Sequence, residues 1–232
     1  MKRLMTTFAL VMALAMFGGI SSAFAADVFS DTFDGTTMGS CEWPDTQWMH
    51  GFATQNNEVY LTADTSHEAY QLDMTSEAFN VGSANSFQVT GTWSESGLQT
   101  GNDFYLNLID NNGVEFDLGY LEGTGLGYSD GSAFNLATVR SLPTTPTNFA
   151  LSISDSGWTY SENGTLVYSN TTAPFDFTSS VFTLGLHSEG SSASGQIVTV
   201  DNIKVTTTPE PVSCALFVLG GGALAFMRRR KA

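Results

Sequence analysis

The chain has 232 residues, with 8 Lys+Arg against 23 Asp+Glu, a formal net charge of −15, and 2 Cys; that length suits one domain of ordinary size plus appendages. Six of the eight basic residues sit at the ends (Lys2, Arg3, Arg228, Arg229, Arg230, Lys231), so residues 27–208 hold only Arg140 and Lys204 against 22 acidic residues, a net of −20. A body so anionic repels the phosphates that supply most nucleic-acid affinity, and anionic lipid headgroups likewise, which excludes a nucleic-acid partner.

In chain order, Lys2 and Arg3 precede an apolar stretch from Phe8 to Phe17, and Ala23-Phe24-Ala25 forms a small-x-small site before Ala26. This is the pattern of a secretory signal, and it predicts a signal helix over residues 1–25 that signal peptidase removes. Cys41 is alone in the body and Cys214 lies in the apolar C-terminal run, so no disulfide is expected in the mature domain.

Residues 26–205 carry short alternating or apolar runs separated by Gly, Asn, Asp and Ser. Strands are predicted at 59–61, 86–93, 104–109, 114–118, 149–153, 158–161, 166–168, 181–186 and 197–205. Asn163-Gly164 supplies the two positive-φ residues of a type I′ turn, pairing Tyr160 with Val167 and Ser161 with Leu166. Asn112-Gly113 turns the run at Phe104–Ile109 back into Val114–Leu118. Alternation then puts Val114, Phe116 and Leu118 on one face and Glu115 and Asp117 on the other, toward solvent or a ligand groove. The expected fold is all-β, an antiparallel β-sandwich, flanked by the signal helix and a C-terminal transmembrane helix.

The run from Phe29 to Gly35, Trp48 soon after it, and Val200-Asp201-Asn202-Ile203-Lys204-Val205 at the end resemble the concanavalin A-like jelly-roll superfamily. The resemblance implies that the first and last strands lie side by side, with a structural calcium where they meet. Calcium takes six to eight oxygen ligands, and Asp31, Asp34, Asp201 and Asn202 are the expected donors.

The chain closes with Thr206 to Thr208, then Pro209-Glu210-Pro211, a charge-free run from Val212 to Met227, and Arg228, Arg229, Arg230, Lys231 and Ala232. As a helix the apolar run spans about 24 Å against a hydrocarbon core of about 30 Å, and Gly220 to Gly222 weaken it. The basic tip holds the end in the cytoplasm and leaves the body outside. The linker 206–211 and the segment 212–232 resemble the PEP-CTERM sorting signal of Gram-negative bacteria. That resemblance implies transient anchoring in the inner membrane, processing by an exosortase-type enzyme, and delivery to the cell surface or an exopolysaccharide matrix.

Three kinds of chemistry are tested by the residues. The laminarinase-type hydrolases of the jelly-roll superfamily carry Glu-x-Asp-x-Glu, or Glu-x-Asp-x-x-Glu, on one strand. Glu115-Phe116-Asp117 begins that pattern, but Gly119 or Tyr120 stands where its last Glu belongs and Glu122 falls at an odd offset, so the motif is not carried over. His50, His67 and His187 form no His-Glu-x-x-His set, and no Gly-x-Ser-x-Gly elbow or Cys-His pair occurs. Aromatic platforms for sugar rings are the third: Trp43, Trp48, Trp93, Trp158, Tyr120 and Tyr128 are the candidates. Together these features predict an exported matrix or surface protein, not an enzyme, that binds extracellular polysaccharide. The alternatives are a glycoside hydrolase or lyase acting on that polysaccharide, and a structural matrix protein without a small ligand.

Overall fold

The computed structural model describes residues 25–34, 45–49, 51–63, 70–96, 102–121, 124–130, 134–139, 141, 143–190 and 197–207. The signal segment before residue 25 and the sorting segment lie outside them, as does Trp43. Among the described residues no helix is long and apolar enough to cross a membrane.

The strands lie in one compact unit, Ala26–Thr208. In chain order they are β1 (Ala26–Asp31), β2 (Asp45–Met49), β3 (Gly51–Gln55), β4 (Val59–Ala63), β5 (Tyr70–Thr75), β6 (Phe79–Asn80), β7 (Ser86–Ser96) and β8 (Asn102–Asp110). There follow β9 (Glu115–Leu121), β10 (Gly125–Ser129), β11 (Phe134–Thr138), β12 (Thr147–Ser154), β13 (Gly157–Glu162), β14 (Thr165–Asn170), β15 (Val181–Gly190) and β16 (Ile197–Thr207). They form two antiparallel sheets. The first runs β14-β13-β12-β7-β16-β4-β3 with β1 also on β16; the second runs β11-β10-β9-β8-β15-β5-β2 with β6 also on β15. All nine predicted strands are present, and the first and last strands pair, Asp31 opposite Ile203.

Period-2 alternation builds the core between the sheets. Phe87, Val89 and Trp93 of β7 and Phe149, Leu151 and Ile153 of β12 point inward from the first sheet. Phe104, Leu106 and Leu108 of β8, Phe116 and Leu118 of β9, and Phe182, Leu184 and Leu186 of β15 meet them from the second. On β16 the inward residues are Val198, Val200, Ile203 and Val205. The change of phase is a bulge between Asp201 and Lys204, with Asn202 at φ 53°. Gly91 faces this point because a Cβ there would lie 2.8 Å from both Ile203 Cδ1 and the Phe149 ring.

Trp93 is the hub of one end of the core. Its ring stacks on Phe149 at 4.4 Å and meets Phe104 and Tyr120 edge-on at 5.5 and 5.8 Å. Beside it, buried Glu162 accepts hydrogen bonds from the hydroxyls of Tyr120 and Tyr160. Burial, with the neighbouring Tyr120 and Glu162 behind it, pushes the Tyr160 hydroxyl far above its ordinary pKa, so it stays a donor.

Both hairpins form, with corrections. Asn163 and Gly164 have φ 47° and 76° as a type I′ turn requires, and Ser161 pairs with Leu166. Tyr160, however, pairs with Tyr168, because a one-residue bulge between Tyr160 and Ser161 skips Val167. At the other hairpin Asp110 and Val114 close a three-residue loop, Asn111-Asn112-Gly113, with Gly113 at φ 79°. Asp110 Oδ1 accepts from the Asn112 and Val114 N–H groups, each at 2.8 Å. Val114 therefore belongs to the loop and is 41% exposed, not part of the inward row.

Replacing Trp93 by Ala removes its ring contacts with Phe104, Tyr120, Phe149 and Tyr160. The expected loss is about 3–5 kcal/mol of unfolding free energy, measured by urea denaturation with an unchanged slope.

Candidate active site

The outward residues of the second sheet are as polar as its inward residues are apolar. From the turn at Asn111–Gly113 onward, Glu115 and Asp117 of β9 point out while Phe116 and Leu118 point in. β8 presents Asp103, Tyr105, Asn107 and Ile109, and β15 presents Gly185, His187 and Glu189. Register aligns these across the sheet. Asp73 of β5 lies opposite His187, His187 opposite Tyr105, and Tyr105 opposite Gly119; in the next row Gly185 lies opposite Asn107 and Asn107 opposite Asp117. Asp73, Tyr105, Asn107, Ile109, Glu115, Asp117, Gly185 and His187 line a cleft of about 330 Å³, and Asp103 and Glu189 adjoin it through Tyr105 and His187.

Asn107 holds the centre. Its Nδ2 donates to Glu115 Oε1 and to Asp117 Oδ1, each at 2.5 Å. Two oxygens bound to one nitrogen at 2.5 Å are separated by at most twice that distance, about 5 Å. Glu115 is exposed and Asp117 half-buried. Burial raises the Asp117 pKa; the Asn107 hydrogen bond opposes this and the Glu115 charge adds to it.

A second set adjoins the first. The Tyr105 and His187 rings stack with centroids 4.9 Å apart and planes at 13°. His187 Nδ1 contacts Asp73 Oδ1, and its Nε2 lies 3.4 Å from Glu189 Oε2. The Tyr105 hydroxyl donates to Asp103 Oδ2 at 3.0 Å and to Glu189 Oε1 at 3.1 Å. Burial first, then the charges of Asp103 and Glu189, push that hydroxyl's pKa well up, so it remains neutral. Phe134 of β11 reaches over from the edge, its ring 5.8 Å from that of Tyr105.

Two glycines leave room for this arrangement. A Cβ on Gly127 would lie 2.0 Å from the Phe134 ring, and one on Gly119 would lie 2.0 Å from the Phe104 carbonyl oxygen. Gly119 is where the five-residue hydrolase motif has its last Glu, and the backbone of β8 excludes any side chain there.

The aromatic platforms expected from sequence are corrected by burial. Trp93, Trp158 and Tyr120 are 1%, 3% and 2% exposed; each lies on the inward phase of its strand. Tyr128 is half-buried and covers Trp158, centroids 5.0 Å apart. The side chain of Trp48, like all of Trp43, lies outside the described residues. The outward aromatics are instead Tyr105 and Phe134, which the sequence reading passed over. Alternation in Phe104-Tyr105-Leu106-Asn107-Leu108 was the signal that marked Tyr105 and Asn107 as outward. Asp73, His187 and Glu189 carried no such local signal.

The expected calcium donors are near one another but are not a ligand set. The charges of Asp34 and Asp31, with that of Glu58, help raise the Asp201 pKa, after burial as the first cause. Yet Asp31 Oδ1 accepts the Phe33 N–H at 2.7 Å and Asp34 Oδ2 the Thr32 hydroxyl at 2.8 Å. Asp201 takes both the N–H and the Nδ2 of Asn202, at 2.7 and 2.6 Å. Among the described residues no three His, Cys, Asp or Glu side chains form a metal-binding group. The donors are engaged in closing their own turns and bulge.

Because folding favours the protonated form of Asp117, the stability from this group is full below the ordinary carboxylate pKa of 3.8 and is lost as pH rises through the raised value. Asp117→Asn is therefore expected to melt above the wild type at neutral pH. The two melting curves should converge as pH falls below that value, a comparison made by calorimetry across the acidic range.

No protein-family model and no curated protein sequence matches the chain. Solved structures do match its fold. The carbohydrate recognition domain of Emp47p is similar with a TM-score of 0.59 and 10% identity, over 82% of this chain and 100% of that one. A protein assigned as a β-glucanase from Mycobacterium abscessus gives 0.60 and 14%, over 78% and 100%. The GlcNAcα1-4Gal-releasing endo-β-galactosidase of Clostridium perfringens gives 0.57 and 11%, over 81% and 63%. The fold is thus a two-sheet antiparallel β-sandwich like those of that carbohydrate recognition domain and those two proteins. The expectation that the domain is not an enzyme is corrected: the same fold carries glycoside hydrolases, and the cleft holds a close pair of carboxyl groups.

Proposed function

We propose that this chain is an exported glycoside hydrolase acting on extracellular polysaccharide, with Glu115 and Asp117 as its catalytic pair. The observation that carries this reading is the convergence of both carboxyl groups on Asn107 within about 5 Å, with Asp117 pushed toward its protonated form by burial. Retaining glycosidases place their two carboxyl groups about 5–5.5 Å apart, and inverting ones about 6.5–9.5 Å. Asp117 then protonates the glycosidic oxygen as the leaving sugar departs, and an oxygen of exposed Glu115 bonds to the anomeric carbon. Water, deprotonated by Asp117, cleaves the resulting ester and returns both groups to their starting states. Asn107 holds the pair in position, and Phe134 with the edge of the Tyr105–His187 stack supplies apolar surface beside it for a sugar ring.

Export rests on the sequence alone. Ala23 and Ala25 mark the signal cleavage, and Pro209-Glu210-Pro211 with Arg228, Arg229 and Arg230 mark the sorting segment. Their partners in this reading are signal peptidase, the exosortase-type enzyme and, transiently, the inner membrane. The destination is the cell surface or matrix, where the substrate lies. The charge of −20 on residues 27–208 suits a domain that works among extracellular cations.

The purified protein, incubated with soluble β-glucan and galactan oligomers, is expected to release new reducing ends. Glu115→Gln and Asp117→Asn should each lower that release at least about a hundredfold while remaining folded. Binding without any release of reducing ends would overturn the hydrolase reading.

A further inference from the structure

The cleft and its margin share the acidic balance of the whole domain. Asp73, Asp103, Glu115, Asp117 and Glu189 all project from the outward face of the second sheet, and the basic group among them is His187, stacked on Tyr105 and held by Asp73. No lysine or arginine lines the cleft among the described residues. The segments outside the described residues between 27 and 208 cannot supply much countercharge either, because Arg140 is the only lysine or arginine they contain. Lys204 belongs to the other sheet and pairs with Asp27 at 2.9 Å.

Sugar polymers divide by charge into anionic (uronate, sulfate or phosphate), neutral, and cationic (amino sugars with free amines). An anionic unit bound here would sit within about one Debye length, roughly 8 Å at physiological salt, of several carboxylates and beside no lysine or arginine among the described residues. An ammonium group meets the opposite situation. Half-exposed Asp73 and Glu189 flank the Tyr105–His187 stack, with side-chain exposures of 35% and 44%. They can accept hydrogen bonds from a sugar that meets the outer edge of that stack, and a charged donor makes such bonds stronger.

Resting on the reading of this cleft as a glycoside hydrolase site, we propose that its substrate is an amino-sugar polymer bearing protonated amines, and that Asp73 and Glu189 determine this specificity. The charge of the cleft then serves recognition as well as catalysis: it attracts de-N-acetylated chains and rejects uronic ones.

The test compares short oligomers of β-linked glucosamine, their N-acetylated counterparts, neutral β-glucan oligomers and oligo-uronates, at mildly acidic pH and at low and high salt. Both Kd and kcat/KM are measured. The glucosamine oligomers are expected to be preferred over the neutral ones by about tenfold or more, with the preference shrinking at high salt. Asp73→Asn and Glu189→Gln should each reduce the ratio of amino to neutral oligomers by about threefold or more. Asp155→Asn, which removes the same charge at the turn between β12 and β13, should leave the ratio as it was. Equal or better use of neutral or uronic oligomers overturns the proposal, as does a ratio that Asp155→Asn changes as much as the cleft variants do. If neutral oligomers are cleaved through Glu115 and Asp117 with no preference for amines, this specificity falls and the hydrolase reading stands. If nothing is cleaved, the hydrolase reading falls and the Kd ratios alone decide the specificity.

Discussion

The strict in-and-out alternation along β8, β9 and β15 is the constraint on which the rest of the molecule depends. Phe104, Leu106, Leu108, Phe116, Leu118, Phe182, Leu184 and Leu186 must all face the opposing sheet, and burying them fixes the pairing of the three strands. A slip of one residue would expose that row and drive Tyr105, Asn107, Asp117 and His187 into an apolar core, at a cost no hydrogen bond there would offset. The core therefore sets the cleft. Asn107 meets Asp117 because Leu106 and Leu108 are locked opposite Leu118 and Phe116.

The two sheets have correspondingly different surfaces. The first turns outward Gln88, Thr90, Thr92, Asn148 and Ser152, joined by side-chain hydrogen bonds such as Gln88 to Ser152 at 2.8 Å and Thr92 to Asn148 at 3.0 Å. Those positions are neutral, and the charges of this sheet lie where β1 and β4 flank β16, at Asp31, Glu58, Asp201 and the Lys204–Asp27 pair. On the second sheet burial first, and the charge of Glu115 after it, shifts Asp117 toward its protonated form. An arrangement that costs stability at neutral pH, as Asp117 does, is the kind that persists where chemistry requires it. The Gly119 position fits the same view. A side chain at Gly119 is excluded by backbone contact, and the two carboxyl groups before it, Glu115 and Asp117, share Asn107 in unequal environments, one exposed and one half-buried.

Much of the fold was legible in the sequence because local pattern decides it. The nine predicted runs, the Asn163-Gly164 turn and the shared face of Glu115 and Asp117 all follow from alternation and turn chemistry within a dozen residues. β10 was missed because Gly125-Leu126-Gly127 reads as loop, although those glycines serve a sheet whose outward face is crossed by Phe134. The aromatic platforms were misassigned for a different reason: Trp93 shares its phase with Phe87 and Val89, Tyr120 with Phe116 and Leu118, and both belong inside by the rule that located Glu115 and Asp117. Asp73, Asn107 and His187 come from strands far apart in the chain. Only the pairing β5-β15-β8-β9 brings them together, and no local pattern encodes it.

The central claim is that Glu115 and Asp117 act as a retaining pair, and covalent capture tests it most directly. The protein is treated with activated 2-deoxy-2-fluoro glycosides and with a 5-fluoro glucosaminyl fluoride, which keeps the 2-amine, then digested and mapped by mass spectrometry. The account predicts a glycosyl adduct on the peptide containing Glu115, absent in Glu115→Gln. An adduct on a carboxylate outside the cleft, or hydrolysis of a substrate with inversion at the anomeric carbon, would contradict it.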